Sequence, residues 1–193
     1  IPSIIYGMWG LFVFAPFMAD YVQPWLASIA PGLPLFQGPP MGIGMLSAGI
    51  ILALMVLPFI TSVTRDVFQM VPAVVKESAY GMGSTTWEVT RKVTIPYGIQ
   101  GVVGACFLGL GRAIGETMAV TLASGQTPNL SFSMLESIQT MTAYIVQVSM
   151  GDTPSGGIGY QTLFAVAMLL FLITLLINVI SQWILGRFRE VYD

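Results

Sequence analysis

Apolar residues fall in four long runs, at about 4–19, 42–63, 97–123 and 159–185, separated by stretches that concentrate polar residues and prolines. A helix needs about 20 largely apolar residues to cross a bilayer, and backbone amides in lipid must bond within their own segment. The four runs are therefore expected to be transmembrane helices, giving an all-α, polytopic membrane helix bundle. Composition agrees: 55% of residues are hydrophobic and 8% charged, against roughly a quarter charged in a soluble domain. The chain opens on Ile1 with neither a Met nor a basic n-region, so no signal peptide is expected. The first span is expected to be preceded by further chain, as in a portion of a longer protein.

Charge orients the spans. The connections 20–41 and 124–158 hold no Lys or Arg and carry Asp20, Glu136 and Asp152. Arg65, Lys76, Arg91 and Lys92 fall in the central connection and Arg187 and Arg189 in the tail, so six of the seven basic residues share one side. By the positive-inside rule that side is the cytosol, and with four spans both Ile1 and Asp193 are cytosolic. Trp9, Trp25, Trp87 and Trp183 fall near the predicted boundaries, as interfacial aromatics do.

Of the two outer connections, the first is rich in proline (Pro24, Pro31, Pro34, Pro39, Pro40) and is expected to be stiff and irregular. The second predicts a helix over about 133–150. Ser133 with Glu136 fits a capping box, Met134, Ile138, Met141, Ile145 and Val148 follow helical spacing, and Gly151 would end it. Such a helix either lies flat on the outer membrane surface or folds over a pore mouth.

The remaining composition excludes some chemistry. The net charge of −2 leaves no basic surface for nucleic acid. There is no His and one Cys, Cys106, so no disulfide forms within the chain and haem, zinc or iron–sulfur sites are disfavoured. No cofactor is expected. No stretch matches G-x-x-x-x-G-K-[ST], so the chain should not be an ATP-hydrolysing enzyme of the Walker type.

The connection 64–96 is the polar centre of the chain: residues 65–92 hold seven of its sixteen charged residues. Pro72 suits a first helical turn, opening a helix to about Met82. Gly83 breaks it, and Thr85 with Glu88 forms a capping box that opens a second helix to about Val93, closed by Pro96. An exposed helix–Gly–helix hairpin can fill a groove on a partner, with Ala79 and Tyr80 packing and Glu77 capping or pairing. The plainer alternative is a solvated loop with capped helices. The residues Glu77-Ser78-Ala79, three residues, Gly83, nine residues, then Val93-Thr94-Ile95-Pro96 resemble the E-A-A…G…I-x-L-P loop of ABC-importer permeases. That resemblance implies a type I (MetI-like) permease core, with Glu77, Ser78, Ala79 and Gly83 docking onto an ATP-binding subunit.

The third run contains Arg112 and Glu116, four apart, which on one helix would share a face and pair near mid-bilayer. A central Arg costs about 2.5–3.5 kcal/mol to insert and therefore usually faces a bundle interior or a water-filled path. Either Arg112 meets an anion in a translocation path, with Glu116 holding it and Thr117 beside it, or the pair is a polar clamp between helices. A guanidinium fork suits a phosphate oxyanion. Gly104, Gly111 and Gly115 are expected to permit close helix approach. The wording Gly111-Arg112-Ala113-Ile114-Gly115-Glu116-Thr117-Met118-Ala119-Val120, with the opening Ile1-Pro2-Ser3-Ile4-Ile5-Tyr6-Gly7-Met8-Trp9-Gly10-Leu11, resembles phosphate-specific permeases of the same class. This implies a path for phosphate and four kinds of partner: a second, related permease subunit, a dimer of the ATP-binding subunit, an extracytoplasmic phosphate-binding protein, and the lipid of the cell inner membrane. A permease for sulfate or molybdate is the nearest alternative, and an ATP-independent channel or carrier a more distant one.

Overall fold

The computed structural model describes residues 2–29, 41–130, 133–151 and 156–187. These residues form seven helices: α1 (Ser3–Ile29), α2 (Met45–Gln69), α3 (Ala73–Gly81), α4 (Thr86–Ile114), α5 (Met118–Ser124), α6 (Met141–Met150) and α7 (Ile158–Arg187). Among the described residues the one β contact is an isolated bridge between Gly125 and Ile138. α1, α2, α4 and α7, of 27, 25, 29 and 30 residues, are long and apolar enough to cross a bilayer.

Prolines do not cut these helices where the sequence predicts. Among the described residues three π-helical stretches, Gly10–Phe14, Met18–Val22 and Thr90–Thr94, each end two residues before a proline: Pro16, Pro24 and Pro96. Proline brings no N–H, and its ring crowds the carbonyl four residues back. A wider i→i+5 turn at that place relieves the crowding and lets the helix run on. Pro24 therefore lies within α1 rather than in an outer loop. Pro96 lies within α4, which continues from the loop into the span instead of stopping near Val93. Pro31, Pro34, Pro39 and Pro40 lie outside the described residues.

The chain divides into two compact units. The first comprises Ile1–Met55 and Gly115–Ile173. Its core is Ala48, Ile51, Val120 and Ala123, with Tyr6, Phe14 and Leu52 packed against it. α1 lies close on α5 at Gly7, where a Cβ would stand 2.8 Å from Leu122 Cδ1 and 3.1 Å from Ala119 Cα. The first turn of α2 is capped from a distance: the Met45 and Leu46 N–H groups donate to the carbonyls of Glu136 (3.2 Å) and Met134 (2.8 Å). These are orphan donors that every helix start must satisfy. Residues 133–138 serve this purpose, so the helix expected from about 133 begins at Met141. Its N-cap is Thr140, whose hydroxyl accepts from the Ala143 N–H at 3.3 Å. Ser133 instead accepts from the Leu135 N–H (3.3 Å), and Glu136 from Asn129 Nδ2 (2.9 Å).

The third apolar run is likewise two helices rather than one. α4 ends at Ile114, Gly115 turns, and α5 begins at Met118. Gly is the poorest helix former after Pro. The Glu116 carbonyl, left without a helical partner, accepts from Thr142 Oγ1 at 3.2 Å.

The second unit comprises Val56–Ile114 and Thr174–Asp193. Gly98, Gly101, Ala105 and Gly109, three or four apart, form a small-residue face of α4 against α2. A Cβ at Gly98 would lie 2.8 Å from Phe68 Cδ1, and one at Gly109 would lie 2.6 Å from Ile60 Cγ1; Gly101 abuts Val67. Ala105 is 1% exposed. The contact glycines are thus not the expected ones. Gly111 meets nothing within 4 Å and Gly104 only Leu185 at 4.0 Å, because both point away from that face. On α7, Phe164, Met168, Phe171, Leu176, Val179 and Trp183 are all exposed, an apolar surface that needs lipid or a partner to cover it.

Candidate functional site

The hairpin α3–α4 is built from two capping motifs back to back. Gly83 sits in the left-handed region at φ +85°. Its N–H donates to the Tyr80 carbonyl (2.9 Å), and the Ser84 N–H reaches the Ala79 carbonyl (3.2 Å). That pair of bonds is a Schellman C-cap, which places glycine at this position because other residues are strained there. Thr85 then opens α4 with the predicted capping box: its hydroxyl accepts from the Glu88 N–H (3.4 Å), and Glu88 Oε2 accepts from the Thr85 N–H (2.9 Å). Ser84 alone separates the two motifs, so the corner is tight. Lys76 Nζ donates to the Phe68 carbonyl (3.1 Å) in the last turn of α2, tying α3 to the end of that helix. The Glu88–Lys92 pair, 3.9 Å apart and exposed, adds little.

Glu77, Ser78 and Gly83 are exposed and Ala79 is half-buried. The Ser78 hydroxyl is turned back onto the Val74 carbonyl (2.7 Å) of its own helix. The exposed apolar side chains here include Val74, Met82 and Trp87 as well as Tyr80; Met82 is 89% exposed. Val74 and Met82 are not among the sequence-predicted docking residues, because neither falls on a position of the E-A-A…G…I-x-L-P spacing. The signal was there: large apolar side chains in an otherwise polar connection. Beside the hairpin lies a groove of about 490 Å³, with Arg65, Lys76, Tyr80, Thr90 and Thr94 among its lining residues.

Arg112 lies in the last turn of α4 and is exposed. It does not share a helical face with Glu116, because α4 ends at Ile114 and Glu116 and Thr117 lie in the non-helical link before α5. Among the described residues the one ion pair is Glu88–Lys92, and the contact of Arg112 is with an aromatic ring: its guanidinium carbon is 5.6 Å from the centroid of Phe59 on α2. Glu116 and Thr117 are half-buried, with the Thr117 carbonyl accepting from the N–H (2.9 Å) and the hydroxyl (2.6 Å) of Thr121. No cluster of metal-ligating side chains occurs among the described residues.

An all-helical chain with four membrane-length spans and a tightly capped polar hairpin between two of them is a polytopic membrane protein. The profile of the family described as binding-protein-dependent transport system inner membrane component matches residues 1–190, and the chain belongs to that family. It is a multi-pass component of the inner membrane. It is 51% identical over 191 residues to a protein of Mesorhizobium japonicum named phosphate transport system permease protein PstC, covering 97% of this chain and 58% of the relative. Proteins of the same name from Pasteurella multocida and Haemophilus influenzae are 47% and 46% identical, covering 98% of this chain and 60% and 61% of theirs. The chain thus spans about three fifths of the length of these curated relatives. No solved structure matches it.

Proposed function

We propose that this chain is the membrane core of a PstC-like permease subunit in an ATP-driven phosphate importer. The observation that carries this is the 46–51% identity to phosphate permeases over nearly the whole of this chain. Its partners are a PstA-like second permease subunit, two copies of an ATP-binding subunit and an extracytoplasmic phosphate-binding protein. The chain itself is not an enzyme; ATP is hydrolysed by the separate subunit. The hairpin at Glu77, Ser78, Ala79 and Gly83 is the docking element on the cytosolic side, where both ends of the chain also lie. The tight corner, with Glu77 and the apolar Met82 and Trp87 exposed around it, supports that role. Arg112 is the anion contact in the translocation path, and Glu116 and Thr117 follow it in the link to α5.

The test is uptake by the complete transporter in proteoliposomes. Labelled phosphate should enter only with the ATP-binding subunit, the binding protein and ATP all present, and sulfate and molybdate should fail to compete. Uptake without the ATP-binding subunit would overturn the importer assignment in favour of a channel or carrier. Competition by sulfate or molybdate would transfer it to another oxyanion.

A further inference from the structure

An arginine can be held in place in two ways. A carboxylate occupies its N–H donors and cancels its charge; an aromatic ring draws the cation over its own face and leaves the charge uncancelled. The sequence suggests the first arrangement for Arg112, and the structure has the second. Among the described residues of its own compact unit no carboxylate lies at ion-pair distance from Arg112, and Phe59, in the same unit, lies 5.6 Å from it. The contact follows from helix packing. Gly109, three residues before Arg112, lets α4 close onto Ile60, where a Cβ would come within 2.6 Å. Phe59 precedes Ile60 on α2 and is itself half-buried, so the ring is carried to the guanidinium by the same close approach.

We propose that Phe59 is a positioning residue for Arg112, fixing the guanidinium through its ring face while leaving the N–H fork free for a tetrahedral oxyanion. This rests on the assignment of Arg112 to the phosphate path. A site built this way keeps a full positive charge yet holds the anion at a single cation, which favours release as well as entry.

The experiment uses the complete transporter in proteoliposomes and reads phosphate moved per ATP hydrolysed, a ratio that loss of folded protein does not change. Phe59 is replaced by phenylalanines carrying one to five ring fluorines, which keep the shape and progressively strip the ring face of negative charge, and by Phe59→Trp and Phe59→Leu. The ratio should fall stepwise with fluorination, reaching about 2- to 30-fold, the range that cation–π strengths from exposed to desolvated settings convert to. Phe59→Trp should stay near wild type and Phe59→Leu should fall. If Phe59→Leu does not assemble, the shape-preserving fluorinated forms decide. An unchanged ratio across the fluorinated series, with Arg112→Ala lowering it, overturns the role of Phe59 and leaves Arg112 in the path. An unchanged ratio in Arg112→Ala overturns the path assignment itself.

Discussion

Replacing Gly83 separates the conformational demand of the hairpin corner from its contacts. A Cβ at Gly83 would meet no atom within 4 Å, so added bulk costs nothing sterically within the chain. The cost is in the backbone, held at φ +85° by the Schellman bonds from Gly83 and Ser84. For a residue with a Cβ the left-handed conformation costs roughly 1–2 kcal/mol, less for Asn and more for a β-branched residue. If docking needs the closed corner, the apparent affinity for the ATP-binding subunit falls with the fraction of hairpins that keep it. Gly83→Ala should therefore weaken docking about 5- to 30-fold, Gly83→Asn less, and Gly83→Val more. Titrating the purified ATP-binding subunit onto the permease complex in nanodiscs measures this order directly. Equal losses for Asn and Val would show that the space at position 83, not its φ, matters to the partner. Wild-type affinity for Gly83→Val would remove the corner from docking altogether.

Thr85→Ala deletes the capping box that opens α4 and should cost about 0.5–2 kcal/mol locally, seen as faster proteolysis between α3 and α4. Gly109→Leu should drive α4 off Ile60 and Val56 and lower the thermal midpoint by several degrees, whereas Gly111→Ala, facing open space, should be neutral or raise it through helix propensity worth up to about 1 kcal/mol. Tyr144→Phe removes the 2.8 Å bond to Thr162, tying α6 to α7, and should cost about 1 kcal/mol, visible as faster amide exchange in α6.

The long-period features of this protein were legible in its sequence. Each of the four apolar runs supplied one membrane-length helix, the third also giving the short α5, since nothing but a helix satisfies backbone amides in lipid, and Gly83 with the Thr85–Glu88 box marked the hairpin corner because both are local motifs. Most of what failed depended on partners distant in sequence. Ser133 and Glu136 have capping-box spacing, but the carbonyls of residues 134 and 136 are drawn to the start of α2. Gly104 and Gly111 read as contact glycines as readily as Gly98 and Gly109; only the rotation of α4 against α2 distinguishes them. Arg112 and Glu116 have ion-pair spacing only while the helix continues, and Gly115 ends that. The prolines misled for another reason: a π turn two residues upstream leaves no mark in the composition.

That accommodation of Pro96 has a mechanical consequence. Because Thr90–Thr94 widens instead of breaking, one uninterrupted rod joins the hairpin corner at Thr85 to Arg112. At about 1.5 Å per residue it measures roughly 40 Å. No loop intervenes to absorb a push, so a tilt of about 5° pivoting at one end would sweep the other through about 3–4 Å, more than the length of a hydrogen bond. The widened turn is the natural place for such a rod to flex, and it lies at the hairpin end. Stiffening that turn with Pro96→Ala would test whether the protein works as a lever or as a lever with a joint.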